Sequence, residues 1–165
     1  MNITPLLEAG PVIQAHAAAA ILAIAIGPIA IFRRRRDRVH KTLGYIWVTA
    51  MLVTALSALF IFEIRLWGPF SPIHLLAFLV FWSLWRAITK IRMGDVAGHQ
   101  WYMKSLYVQA LGIAGLFTLL PGRIMSDVLF PHIPWVGFSL CAGLLSVTLI
   151  LVYVWRAPRS RSKVV

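Results

Sequence analysis

The chain has 165 residues, of which 60% are hydrophobic and only 13% charged, with a mean hydropathy of +0.82. A water-soluble domain of this length has no core large enough to hide so much apolar surface. The net charge of +11 does not point to nucleic acid, because the basic residues gather at the ends of apolar segments, where membrane topology and anionic lipid call for them. The lone cysteine, Cys141, excludes an internal disulfide and any cysteine-held metal or iron–sulfur centre within one chain, and is read as a small packing residue.

Taken in chain order, five apolar stretches predict helices over residues 11–32, 43–62, 73–91, 101–120 and 135–155. Each is close to the roughly 20 residues that carry a helix across about 30 Å of hydrocarbon. They are too evenly apolar for barrel strands, and helices satisfy their own backbone groups without strand partners. Arg33, Arg34, Arg35, Arg36, Arg38 and Lys41 follow the first stretch. Arg86, Lys90, Arg92 and Lys104 surround the third connection, and Arg156, Arg159, Arg161 and Lys163 end the chain. The excess of positive charge on inner loops then places the N-terminus outside and the C-terminus inside, with Arg65 and Arg123 on the outer side. A cleaved signal peptide is not expected, because its positive region precedes the apolar run and here it follows.

The expected architecture is an all-α integral membrane protein of five transmembrane helices. Residues 1–156 form a single bundle, in which a four-helix core carries the histidines and the fifth helix is peripheral; residues 157–165 form a basic cytoplasmic tail near anionic lipid. Tryptophans 47, 67, 101, 135 and 155 and tyrosines 45, 102 and 153 fall near the expected interfaces and read as an aromatic belt. "GPFSP" and "FPHIP" read as outer loops, with Pro72 placed to start a helix.

The histidines follow a pattern. His16 and His74 lie near the outer ends of the first and third stretches, and His40 and His99 immediately precede the second and fourth at the inner end. At about 1.5 Å of rise per residue, the two levels are roughly 20 to 25 Å apart, too far for a single metal site. Two imidazoles per level make a poor zinc site, which needs three or four protein ligands, but they suit the two axial positions of a haem iron. A position near a helix N-terminus keeps the imidazole neutral and able to bind metal. Small residues at helical spacing, Ala20, Ala23 and Gly27 after His16 and Gly44 after His40, leave room for a macrocycle; they equally allow close helix packing without one. Arg65 and Arg123 are candidates to pair with haem propionates. Any single histidine at an interface is more often a hydrogen-bonded residue than a ligand; four in a regular one-per-helix layout argue for a role. His132, between prolines, reads as a loop residue.

The segments "HAAAAILAIAIGP", "RRRRDRVHKTLGYIW", "GPFSPIHLLAF", "RMGDVAGHQWYMKSLY" and "GLFTLLPGR", which span residues 16 to 123, resemble a family of small bacterial predicted membrane proteins, domain of unknown function 2306 (DUF2306). The family implies no activity. The histidine layout is similar to that of ascorbate-reducible transmembrane di-haem cytochromes b. That resemblance implies an outer haem b held by His16 and His74 and an inner one held by His40 and His99. The expected function is transmembrane electron transfer between a quinol or another reductant and an acceptor, in a bacterial inner membrane. The alternative is a cofactor-free accessory or assembly subunit of a larger respiratory or photosynthetic complex, with lipid and protein as its only partners. A metal-ion permease fits less well, because no polar residues link the two histidine levels. The scarcity of acids also argues against a proton-driven transporter.

Overall fold

The computed structural model describes residues 1–33, 35–62 and 72–156, and the regular structure among them is all helical. The helices are α1 (Thr4–Leu7), α2 (Pro11–Phe32), α3 (Arg38–Ala58), α4 (Pro72–Arg92), α5 (Val96–Thr118), α6 (Ile124–Leu129) and α7 (Pro134–Arg156). Among the described residues, three spans, Pro11–Phe32, Arg38–Ala58 and His74–Arg92, are long and apolar enough to cross a membrane. The α5 helix matches them in length at 23 residues, but His99, Gln100, Lys104 and Gln109 dilute its hydropathy. Arg65, Trp67 and the tail 157–165 lie outside the described residues.

Two helices start earlier than their apolar stretches, and for the same reason. The Asp37 carboxylate accepts the His40 backbone N–H at 3.0 Å and so caps α3. The Asp95 carboxylate accepts the Gly98 N–H at 2.8 Å and caps α5. Each cap satisfies a donor that the first turn leaves open, so the helix can begin in polar sequence that a hydropathy window passes over. His40 and His99 therefore lie in the first turns of α3 and α5 and do not precede them. Pro72 opens α4, as its locked φ and missing N–H predict. Gly94, with φ of +77°, turns α4 into α5.

The chain folds as two helical hairpins. The α2 helix packs most closely on α3 and α4 on α5, while α3 and α4 join the pairs. The fourth side of the bundle, between α2 and α5, is the most thinly packed. The α7 helix touches only α5 and α6 among the described elements. Short α1 lies on α6 at the end away from the arginine run, where the Asn2 N–H donates to the Val128 carbonyl at 2.9 Å.

The residues inside are small and those outside are large. Ala23, Ala30, Ala50, Ala55, Ala58 and Ala77 are buried between helices. Ile21, Ile24, Leu56, Leu75 and Phe78 each expose half or more of their surface. This distribution is the reverse of a soluble core, and it suits a surround as apolar as leucine, in which close backbone approach through small residues drives association. Trp47 corrects the expected belt: it is 1% exposed, and its indole Nε1 donates to the Ala23 carbonyl at 3.1 Å. Tyr45, Trp101 and Trp135 do face outward.

Candidate functional site

The half of the bundle away from the arginine run holds a half-open cavity of about 260 Å³. Its walls come from all four core helices: Ala17, Ala20 and Ile24 of α2, Met51, Thr54 and Ala55 of α3, Ala77 and Val80 of α4, and Ala114 and Gly115 of α5. Leu6 of α1 and Ile124 and Met125 of α6 close its end. Alanines and a glycine on facing helices widen the space between the longer Ile24, Met51, Leu76 and Phe117 side chains that also line it.

His16 lies on this wall, as does Arg123. The His16 Nδ1 is 3.0 Å from the Thr54 carbonyl and 3.0 Å from the Ser57 Oγ. A carbonyl only accepts, and the Ser57 hydroxyl spends its proton on the Val53 carbonyl at 2.6 Å. The proton of a neutral His16 ring therefore sits on Nδ1 and the lone pair on Nε2. A carbonyl behind the ring is the usual way in which a metal-binding imidazole is oriented.

His74 heads the buried stripe of α4, followed at helical spacing by Ala77, Val80, Leu84 and Ala87, and is itself 3% exposed. Its ring stacks on Phe62, with centroids 5.5 Å apart. It thus faces the bundle interior at the same end as His16 and one turn from the cavity wall at Ala77, although it is not itself on that wall.

At the other end, the His99 Nδ1 donates to the Ala87 carbonyl at 2.9 Å, which leaves its lone pair on Nε2 as well. His40 shares a face of α3 with Gly44, Trp47 and Met51, and its Nδ1 is buried without a hydrogen-bond partner among the described residues. An orphaned ring nitrogen carries a desolvation cost, which a ligand would relieve. His132 is exposed in the turn before α7.

Two histidines near each end are the candidate axial donors for a haem, and the space around them differs between the two ends. The outer cavity is slightly below the roughly 300 Å³ at which pockets for drug-sized ligands begin. Seating a macrocycle there requires α2 and α5 to part further. Towards the arginine run the bundle is shut. Gly27 lets the Tyr107 ring and the Trp47 indole close over α2, and a Cβ at that position would lie 2.2 Å from the Tyr107 ring. Of the two uses the small-residue strip allows, Ala23 and Gly27 serve close packing, while Ala20 lines the cavity.

This closure is the feature that the histidine pattern alone does not reveal. Pro28 lies inside α2 and has no N–H for the Ile24 carbonyl. The Tyr107 hydroxyl supplies the missing donor at 3.2 Å. A proline in the interior of an unbroken apolar run was the available signal, since it demands an outside donor one turn earlier.

The loop at the basic end is held by charge. The Arg33 guanidinium forks onto the Asp37 carboxylate through Nε at 3.1 Å and through Nη2. That contact first, and the His40 N–H second, hold the Asp37 pKa down at about 2, while the Arg33 pKa is raised. The Asp95 pKa is lowered by the Gly98 N–H and then by Lys90, whose Nζ is 2.9 Å from its Oδ2.

Residues 13–155 match the family model described as predicted membrane protein (DUF2306), and the chain belongs to that family. No curated protein and no solved structure matches it.

Proposed function

We propose that this DUF2306 protein is an electron carrier of the bacterial inner membrane, with five transmembrane helices, its N-terminus outside and its C-terminus inside. In this reading α5 and α7 join α2, α3 and α4 in crossing the bilayer, and the arginine run marks the cytoplasmic face. One b-type haem lies between His16 and His74 and a second between His40 and His99. A quinol or another reductant delivers electrons at one face, and an acceptor, either soluble or a subunit of a larger complex, takes them at the other.

The supporting observation is His16: an imidazole on the wall of an interhelical cavity, with Nδ1 tied to a carbonyl so that Nε2 offers its lone pair. Bound haem supplies reversible one-electron chemistry that no side chain here provides. The chain's own part is to hold and shield. His16 and His99 are oriented by Thr54 and Ala87, the alanine-rich wall offers an apolar face, and Arg123 at the cavity edge balances carboxylate charge. Arg65 is assigned the same role from its position in sequence.

The tight Gly27, Trp47 and Tyr107 packing favours the second reading, a cofactor-free scaffold subunit, because these side chains fill the space between α2 and α5 in that half of the bundle. The dithionite-reduced minus oxidised spectrum of the purified protein, with haem extracted and counted per chain, decides between them. The haem reading expects an α-band and two haems, with His74→Ala and His40→Ala each removing about one. A folded protein with no α-band after expression with ample haem supports the scaffold.

A further inference from the structure

We propose that Arg86 and the aromatic residues around it form a binding site for the phosphate of an anionic phospholipid in the leaflet at the basic end of the bundle. The 21-residue α4 is about as long as the hydrocarbon is thick, and Arg86 lies six residues, about 9 Å, before its end. A guanidinium at that depth is costly unless it reaches water or meets an anion. It does not reach towards the loop. Its Cζ is 5.9 Å from the ring centroid of Trp82, one turn deeper on α4, and 5.7 Å from that of Tyr102 on α5.

The guanidinium is fixed there and mostly unspent. Nε donates to the Tyr102 hydroxyl at 3.3 Å, and among the described residues no carboxylate pairs with it; Lys90 takes Asp95 and Arg33 takes Asp37. The remaining N–H donors form the fork that matches two phosphate oxygens. Trp82, Trp85 and Trp101 are 56%, 55% and 57% exposed. Trp82 and Trp85 lie 5.1 Å apart, and Trp101 stands edge-on to Tyr102 at 4.9 Å. Their indole N–H groups have no acceptor among the described residues, so exposed aromatic rings with donors to spare lie beside the cation on a surface open to lipid. A lipid headgroup and a soluble phosphate ester share this chemistry; the outward-facing indoles favour the lipid.

Native mass spectrometry of the full chain released from nanodiscs of phosphatidylcholine and phosphatidylglycerol tests the site. The wild type should retain one phosphatidylglycerol preferentially. Arg86→Gln should weaken that retention about tenfold, the usual effect of losing a charge-assisted hydrogen bond. Arg92→Gln, an exposed charge at the end of α4, should cost no more than the general surface attraction of one cation, about fivefold. Arg86→Lys should fall between wild type and Arg86→Gln. Equal losses from Arg86→Gln and Arg92→Gln, or equal retention of the two lipids, overturns the site. Displacement of the lipid by millimolar glycerol phosphate identifies a soluble ester as the ligand and overturns the lipid assignment. Should Arg86→Gln not fold, Tyr102→Phe, which keeps the ring and removes the hydroxyl, must still reduce retention two- to threefold; no change overturns the proposal.

Discussion

The hydroxyl of Tyr107 answers a deficit created 79 positions earlier in the chain, at Pro28. Its bond to the Ile24 carbonyl replaces the helical one that proline forbids. Tyr107→Phe should therefore lower the unfolding free energy by about 0.5–1 kcal/mol, the scale of one interhelical hydrogen bond in a membrane bundle. Gly27→Ala should cost more, about 1–3 kcal/mol, because the added methyl meets the Tyr107 ring and lies 3.0 Å from the Trp47 Nε1. Denaturant titration in mixed micelles, followed by helical circular dichroism, measures both changes. A Gly27→Ala protein as stable as wild type would show that the α2–α5 contact is looser than these distances state.

At the scale of the helix, Pro28 and Tyr107 should behave as one unit. In Pro28→Ala the restored N–H of residue 28 competes for the Ile24 carbonyl, so the cost of Tyr107→Phe should shrink by at least about 0.5 kcal/mol in that background. Strict additivity in the four-protein cycle would deny the coupling. The caps of α3 and α5 make a pH prediction. The Asp37 pKa is depressed in the folded chain to about 2. Its stabilisation is complete above the unfolded carboxylate range, near pH 4, and is lost as pH falls towards 2. The melting temperature of Asp37→Asn should therefore lie below that of wild type at pH 7, and the two should converge by pH 2. The carboxylate is exposed, so the gap should be small and should narrow in high salt.

Across the whole molecule, the two hairpins repeat one plan. Each runs from a histidine near the start of its first helix, through a cation that holds an aspartate cap, to a histidine in the first turn of its second helix: His16, Arg33, Asp37 and His40, then His74, Lys90, Asp95 and His99. The α7 helix stands outside this plan and, among the described residues, contacts only α5 and α6. A chain ending at residue 133 should therefore keep the helical signal of the remaining bundle and the absorption band of any haem held by the four histidines. Loss of the whole fold on that truncation would make α7 part of the core.

Apolarity was legible in the sequence because a bilayer demands long unbroken apolar runs wherever a helix crosses it, and this demand acts on each segment by itself. The histidine spacing was legible for the same local reason, one residue near the start of each of four helices. Helix starts were not, since a single carboxylate can extend a helix into polar sequence, as Asp37 and Asp95 do. Nor could the sequence alone tell which small residues make room and which make contact. Ala20 and Gly27 lie on one strip of α2, yet the first borders a cavity and the second is covered by Tyr107. Only the approach of α5 separates them, because a small side chain leaves empty space or a close contact according to what the opposite helix brings to it.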